Sequence, residues 1–264
     1  MLKALAIVLA DQLPVSQRCT HVKGHGGAKG AIRAVQKHLH KHTFVMRTDV
    51  KGYCDNIDHC RMIERLGRYV KDRSVLDLPW QVMRRTVTWG GLYRDCERGI
   101  SRGCPLSPLL GAFYLYELDA EMARQALFYV RFMDDILVLA PSRWKLRRAV
   151  KTVNARLGSL GLDKHPNKTF IGRIEKGFDF LGYHFGRSSF TVSRNTLEKF
   201  WEHMARLYER RRVTKGDAPG AYVRRLVGWL LGGLTERQRP RHAAGSEGSH
   251  QCVSRYPVGA ESSP

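Results

Sequence analysis

No two of the six cysteines (Cys19, Cys54, Cys60, Cys96, Cys104 and Cys252) are spaced C-x-x-C. The sequence therefore offers neither a zinc site nor a disulfide framework, and the compartment implied is a reducing cytoplasm. Long apolar runs are missing too. The opening MLKALAIVLA is too brief to span a bilayer and reads as the apolar face of a helix, so no membrane partner is expected. Internal repeats are absent, and the glycine-rich, basic loop HVKGHGGAKG lacks Walker spacing and a strand before it. His38, His40 and His42 alternate without an acidic or thiol partner and read as solvated. Acidic residues are scarce: 24 Asp and Glu face 45 Lys and Arg, a formal charge of +21. Such an excess calls for a polyanionic partner, nucleic acid above all, because Lys and Arg gain affinity by releasing phosphate counterions.

What is present organises around Tyr129 to Leu139, YVRFMDDILVL. Tyr129 to Phe132 and Ile136 to Leu139 are rich in β-branched and aromatic residues, the pattern of two strands joined by a tight turn. The turn carries Asp134 and Asp135 in an apolar setting, where unpaired charge is costly, so a positive partner is required. Upstream, FVMRTDV reads as a strand ending at Asp49, and Asp58 is placed to cap a helix from His59 to about Val70. Pro79 marks the start of a further helix. Ser107-Pro108 reads as an N-cap and first-turn proline, opening a helix that runs on to Met122. After the hairpin, Leu146, Val150, Val153, Leu157 and Leu160 share a helical face closed by Gly161. Strands at 169–174 and 178–185 follow, joined by Glu175-Lys176-Gly177. Leu197, Phe200, Trp201, Met204, Leu207 and Tyr208 then mark an amphipathic helix whose polar side holds Arg206 and the arginines 210–212. This order, with an antiparallel sheet, is α+β.

Asp49, Asp134 and Asp135 all stand at strand ends, Asp49 and Asp134 being 85 residues apart. Antiparallel pairing of their strands brings them together. Gathered carboxylates in a basic protein call for hard divalent cations, two Mg²⁺ ions with Mn²⁺ as a substitute. Two such ions about 3.5–4 Å apart activate an attacking hydroxyl and stabilise a leaving oxygen, which is nucleotidyl transfer.

From about Leu2 to Leu234 the chain resembles a bacterial reverse transcriptase of the group II intron-like or retron-like kind. Phe132-Met133-Asp134-Asp135 resembles the Tyr-x-Asp-Asp box. TDVKGYCDNIDH resembles the box of the first metal-binding Asp, here Asp49, with the Val50 carbonyl as an extra ligand. GISRGCPLSPLL resembles the nucleotide and template loop, from Arg102 and Gly103 to Pro108. HPNKT puts Lys168 where the family has the lysine that protonates departing pyrophosphate. Phe180, Leu181, Gly182 and Tyr183 (FLGY) resemble the primer grip.

The resemblance implies a right-hand polymerase palm with an antiparallel sheet, partial fingers and a helical thumb. The implied division is partial fingers over 1–48, palm over 49–185 with fingers-side helices at about 59–98, thumb over 186–234, and a disordered tail over 235–264. It implies an RNA-directed DNA polymerase taking an RNA template, a DNA or RNA primer and dNTPs. The thumb's apolar face is expected to be core and its arginines to grip the duplex backbone. A maturase-like RNA-binding protein that does not polymerise is the alternative, and a nucleotide-cyclising palm is disfavoured by the primer-grip box. The chain departs from the pattern at Cys54, where Phe or Tyr usually lies under the ribose, at Arg102 for a frequent glutamine, and at Phe132 for tyrosine. Met1 also falls after the fingers segment with which relatives hold the triphosphate. Lys29, Arg33 and Arg102 are then the cations left for that task. Weak nucleotide incorporation and partial exposure of Leu5, Val8 and Leu9 are the expectation.

Overall fold

The computed structural model describes residues 2–187, 189–211 and 219–233. The expected tail, 235–264, and the side chains of the arginine run 210–212 lie outside the described residues. In chain order the elements are α1 (Leu2–Gln12), α2 (Gly27–Leu39), β1 (Phe44–Asp49), α3 (Tyr53–Asn56), α4 (His59–Leu66), α5 (Arg73–Met83), β2 (Thr86–Trp89), β3 (Leu92–Asp95), α6 (Ser107–Tyr114) and α7 (Tyr116–Arg124). There follow β4 (Phe128–Phe132), β5 (Asp135–Ala140), α8 (Arg143–Ser159), β6 (Phe170–Arg173), β7 (Phe178–Phe180), β8 (Tyr183–Phe185), β9 (Phe190–Val192), α9 (Arg194–Arg211) and α10 (Pro219–Gly233). The class is α+β, as the order of elements predicts.

A four-stranded antiparallel sheet, in the order β4-β5-β1-β6, divides two cores. Strand side chains alternate between faces, so neighbouring residues serve different cores. Met46, Ile136, Val138 and Tyr129 join α1 and α3 to α8 in the larger core. Val45, Leu137, Leu139 and Val130 meet α2 and the small β7-β8-β9 sheet on the other side. With both faces covered, the central strands are apolar along nearly their whole length, which is why YVRFMDDILVL reads as core.

Several local expectations are corrected. Leu5 and Leu9 are buried in the larger core, while Val8 is 46% exposed. HVKGHGGAKG is helical from Gly27 onward. His38 is not solvated: its ring stacks on Phe128, and His42 tilts toward the same ring. Asp58 caps α4 as expected, but that helix ends at Leu66. Pro79 does not open a helix. Asp72 caps α5 by accepting from the Ser74 and Val75 amides, and Pro79 lies buried inside it. Ser107 is no N-cap, since its hydroxyl donates to the Ser101 carbonyl (2.6 Å), and the helix it begins breaks at Leu115 into α6 and α7. The stretch 178–185 is not one strand but a hairpin. Leu181 and Gly182 turn it with φ of 47° and 85°, both left-handed as a I′ turn demands. On α9, Met204 is buried but Trp201 and Tyr208 are exposed, so the helix is core only in part. Phe200 and His203 pack on Tyr222 of α10.

Candidate active site

β1 and β5 pair so that Asp49 lies directly opposite Asp135, with Val45 opposite Leu139 and Phe44 opposite Ala140. The same parity puts Arg47, Asp49 and Asp135 on one face. β4 and β5 pair Phe132 with Asp135, leaving Met133 and Asp134 as a two-residue turn. The Val50 amide donates to the Asp134 carbonyl at 3.2 Å, closing the end of β1 onto that turn. Asp49 and Asp135 are thereby brought to one place, with Asp134 in the adjoining turn, as antiparallel pairing of their strands predicts. Val50 itself is fully buried.

Among the described residues, Lys168 and Arg47 pair with these carboxylates. Lys168, on the turn Pro166–Lys168, donates from Nζ to Asp49 Oδ2 at 3.0 Å. Arg47 stands 3.5 Å from Asp135 Oδ1 and donates its other arm to the Lys168 carbonyl at 3.0 Å. Yet Asp135 Oδ1 is buried and receives no hydrogen bond from the described residues. Burial pushes the Asp135 carboxyl up to about 6, against the pull of Arg47 and with the repulsion of Asp134 and Asp49. Burial raises the Asp134 carboxyl as well, opposed by its own backbone and reinforced by Asp49.

The turn is built on a strained residue. Met133 has φ of 54°, a left-handed conformation that costs a non-glycine residue about 1–3 kcal/mol. Side chains hold it there. Arg131 donates to the Met133 carbonyl (2.8 Å), and the Met133 amide donates to His21 Nδ1 (3.0 Å). Arg131 is wholly buried and also donates to both oxygens of the equally buried Asp119 (2.9 and 2.6 Å) and to the Ala112 carbonyl (3.0 Å). Tyr129 donates its hydroxyl to Asp119 at 2.6 Å. Sequence reasoning missed this brace. Its visible signal is a lone Arg at a core position of an apolar strand, preceded by a lone Asp on an apolar helix face. Nothing local marks His21.

The loop from Arg98 to Ser107 backs onto α3. The Ile100 amide donates to the Cys54 carbonyl (2.7 Å), and a Cβ on Gly99 would stand 2.7 Å from that oxygen. Cys54 is half-buried, and burial together with Asp134 raises its thiol. Tyr53 is buried and donates to the Gly111 carbonyl at 2.5 Å. Arg102 is exposed and pairs with Asp55 (2.5 Å), while Gly103, with φ of 86°, has open space where a Cβ would be. Phe132 meets the His21 ring edge-on at 5.9 Å. Of the candidate primer grip, Phe180 and Tyr183 are buried in the smaller core, and only Leu181 and Gly182 form the turn. Tyr183 stacks on Trp229 and donates to the Trp229 and Leu230 carbonyls of α10 (3.1 and 3.2 Å). Lys29 lies against Gly232 of α10, and Arg33 lies on the exposed side of α2.

Among the described residues, no group of three or more His, Cys, Asp or Glu side chains is arranged to hold a metal ion by itself. The donor chemistry nevertheless fits a hard cation. Asp135 Oδ1 is a buried carboxylate oxygen with no hydrogen-bond donor among the described residues, and burial disfavours charge on both Asp134 and Asp135. No described helix is long and apolar enough to cross a membrane.

Residues 5–185 match the family model "Reverse transcriptase (RNA-dependent DNA polymerase)". The group II intron-encoded protein LtrA of Lactococcus lactis subsp. cremoris is 25% identical over 130 residues, 49% of this chain and 21% of that protein. Protein YkfC of Escherichia coli (strain K12) is 24% identical, over 53% of this chain and 46% of its own length. Among solved structures, apo telomerase of Candida tropicalis, truncated from its C-terminal domain, superposes with a TM-score of 0.56 at 13% identity, covering 73% of this chain and 45% of that one. Telomerase of Candida albicans, in complex with a fragment of telomeric RNA, gives 0.51 at 15%, covering 80% and 42%. The chain thus spans less than half the length of each of these relatives, and the two telomerases bear on the fold alone.

Proposed function

The chain belongs to the reverse transcriptase family, and from that membership we propose that it is an RNA-directed DNA polymerase core similar to group II intron-encoded proteins. The observation that carries the reading is the register placing Asp49 opposite Asp135, with Asp134 hydrogen-bonded to Val50 beside them. Asp49, Asp134, Asp135 and the Val50 carbonyl would hold two Mg²⁺ ions, which when bound activate the primer 3′-hydroxyl and neutralise the departing pyrophosphate. The chain's own residues do the rest. Lys168, held at Asp49 by its ion pair and half exposed, carries a proton where the leaving group's charge develops. Arg102, exposed at the mouth, supplies positive charge to the triphosphate, and Gly103 leaves its backbone open to close approach. Cys54 lies under the ribose and Phe132 beside it.

Leu181 and Gly182 present the turn that meets the primer strand. The segment 1–48 serves as partial fingers, 49–185 as palm with fingers-side helices at about 59–98, and 186–234 as thumb. RNA template, DNA or RNA primer and dNTPs are the partners, which the net charge of +21 supports. Free thiols at all five described cysteines support a cytoplasmic setting. The test is primer extension on an RNA template with Mg²⁺, comparing the wild type with the Asp134→Asn, Asp135→Asn double variant. Extension by the wild type and none by the variant, with duplex binding intact in both, is the expected result. Extension by the double variant would sink the site assignment. Duplex binding without extension by the wild type is the result expected of a maturase-like RNA-binding protein.

A further inference from the structure

We infer that His21, in the segment between α1 and α2, is a positioning residue that locks the carboxylate turn and ties it to the start of α6. The inference rests on the polymerase reading for its consequence and on hydrogen-bond logic for its geometry. His21 Nδ1 lies 3.0 Å from the Met133 amide nitrogen, and Nε2 lies 2.9 Å from the Pro108 carbonyl oxygen. An amide can only donate and a carbonyl can only accept, so Nδ1 must carry the lone pair and Nε2 the proton. One neutral tautomer satisfies both. Burial, the largest influence on the ring, holds it neutral by pushing its pKa down to about 4. The Cys19 sulfur is 3.3 Å from Nδ1, and burial raises that thiol to about 12, so it stays protonated as a second donor to the same lone pair.

The backbone delivers the ring to this spot. Arg18 to Thr20 run beside β4 as a short parallel bridge at Arg131. The Arg131 amide donates to the Arg18 carbonyl (2.9 Å), and the Thr20 amide donates to the Arg131 carbonyl (2.8 Å). His21 therefore emerges level with the turn. Its imidazole fixes the peptide before Met133, while Arg131 fixes the peptide after it. Orienting both peptide planes sets φ and ψ of a residue that would otherwise relax out of the left-handed region. The direction in which Asp134 leaves the turn is set with them. Through Pro108 the same ring sets the distance between the carboxylates and the loop that carries Arg102 and Gly103.

Three variants separate the two bonds. In His21→Asn the amide oxygen stands near the place of Nδ1 and can still accept from Met133. In His21→Gln the amide nitrogen reaches the place of Nε2 and serves Pro108 alone. His21→Ala keeps neither. Maximal extension rate, dNTP KM, duplex affinity and melting temperature are measured for each, together with Mn²⁺ affinity by electron paramagnetic resonance without nucleotide. Asn is expected to stay within a few-fold of wild type. Gln and Ala are expected to lose about 10- to 100-fold in maximal rate and in Mn²⁺ affinity, the usual cost of removing a support behind a ligand, with duplex affinity unchanged. Equal losses in Asn and Gln that follow melting temperature would reduce His21 to a structural role and overturn the inference. Wild-type rates and Mn²⁺ affinity in all three would overturn it while leaving the polymerase reading intact. A wild type that extends no primer would defeat the polymerase reading, and the Mn²⁺ titrations would still decide whether His21 orders the turn.

Discussion

Asp135→Asn is expected to stabilise the metal-free protein, and the pH dependence of the gain is fixed by the site. The Asp135 carboxyl is raised from 3.8 to about 6 in the folded chain, with burial the largest cause. The folded state therefore binds this proton more tightly than the unfolded state does. Stability from this group is fully present below about pH 3.8, declines as pH rises to about 6, and is lost above it. A gap of about two pH units corresponds to about 3 kcal/mol at pH 7.5, with the opposing pull of Arg47 already included. Asn does not titrate and escapes the penalty. Urea unfolding of both proteins in EDTA at pH 5, 6 and 7.5 measures the difference. The variant should gain roughly 1.5 kcal/mol at pH 5 and about 3 kcal/mol at pH 7.5, with an unchanged denaturant slope. Added Mg²⁺ should narrow the gap, because only the wild type keeps the full carboxylate set. A variant less stable than wild type at pH 7.5, or a gain independent of pH, would refute the account of an under-neutralised buried carboxylate.

Asp119→Ala leaves the fully buried Arg131 without its carboxylate and should cost about 3–5 kcal/mol in urea unfolding; a loss under about 1 kcal/mol would show the pair to be dispensable. Gly99→Ala places a Cβ 2.7 Å from the Cys54 carbonyl at a φ of 86° and should cost about 1–3 kcal/mol; unchanged thermal stability would contradict the close packing of the loop on α3. Cys54→Phe should sharpen discrimination against ribonucleotides in single-nucleotide incorporation. Tyr53 is buried and hydrogen-bonded to Gly111, so a wild type already as selective as the Phe variant would put the gate elsewhere.

The sheet was legible in the sequence because its information is local. Strands with both faces covered are apolar and aromatic throughout, and their ends are marked by Asp49 and by the Asp134-Asp135 turn. The α4 cap was legible for the same reason: Asp58 serves an amide three residues on. Errors arose where a residue's usual local role was taken by a distant partner. Ser107 serves the carbonyl of Ser101, and Pro79 sits inside a helix that Asp72 had already started. The FLGY turn was hidden because a leucine rarely occupies a positive φ. His21 and the Arg131–Asp119 pair were beyond sequence reasoning because their roles are defined by atoms that meet only after folding. His21 meets Met133 across 112 positions, and nothing in THVKG signals it.

The β1–β5 register also sets a timetable for synthesis. Asp49 cannot meet Asp135 until the intervening residues have been made, and β1 is an inner strand of the sheet, flanked by β5 and β6, both of them later in the chain. At ordinary elongation rates, about 5–20 residues per second, β1 waits roughly 5 to 20 s for β5 alone. Throughout that interval FVMRTD has neither of its neighbouring strands to pair with, and Val45 and Met46 lack the strand partners beside which they are buried in the folded chain. Non-local pairing of this kind also makes refolding slow. Fusions and permutations that bring 44–49 and 135–140 closer in the chain would shorten the wait, and nascent-chain yield should rise with them.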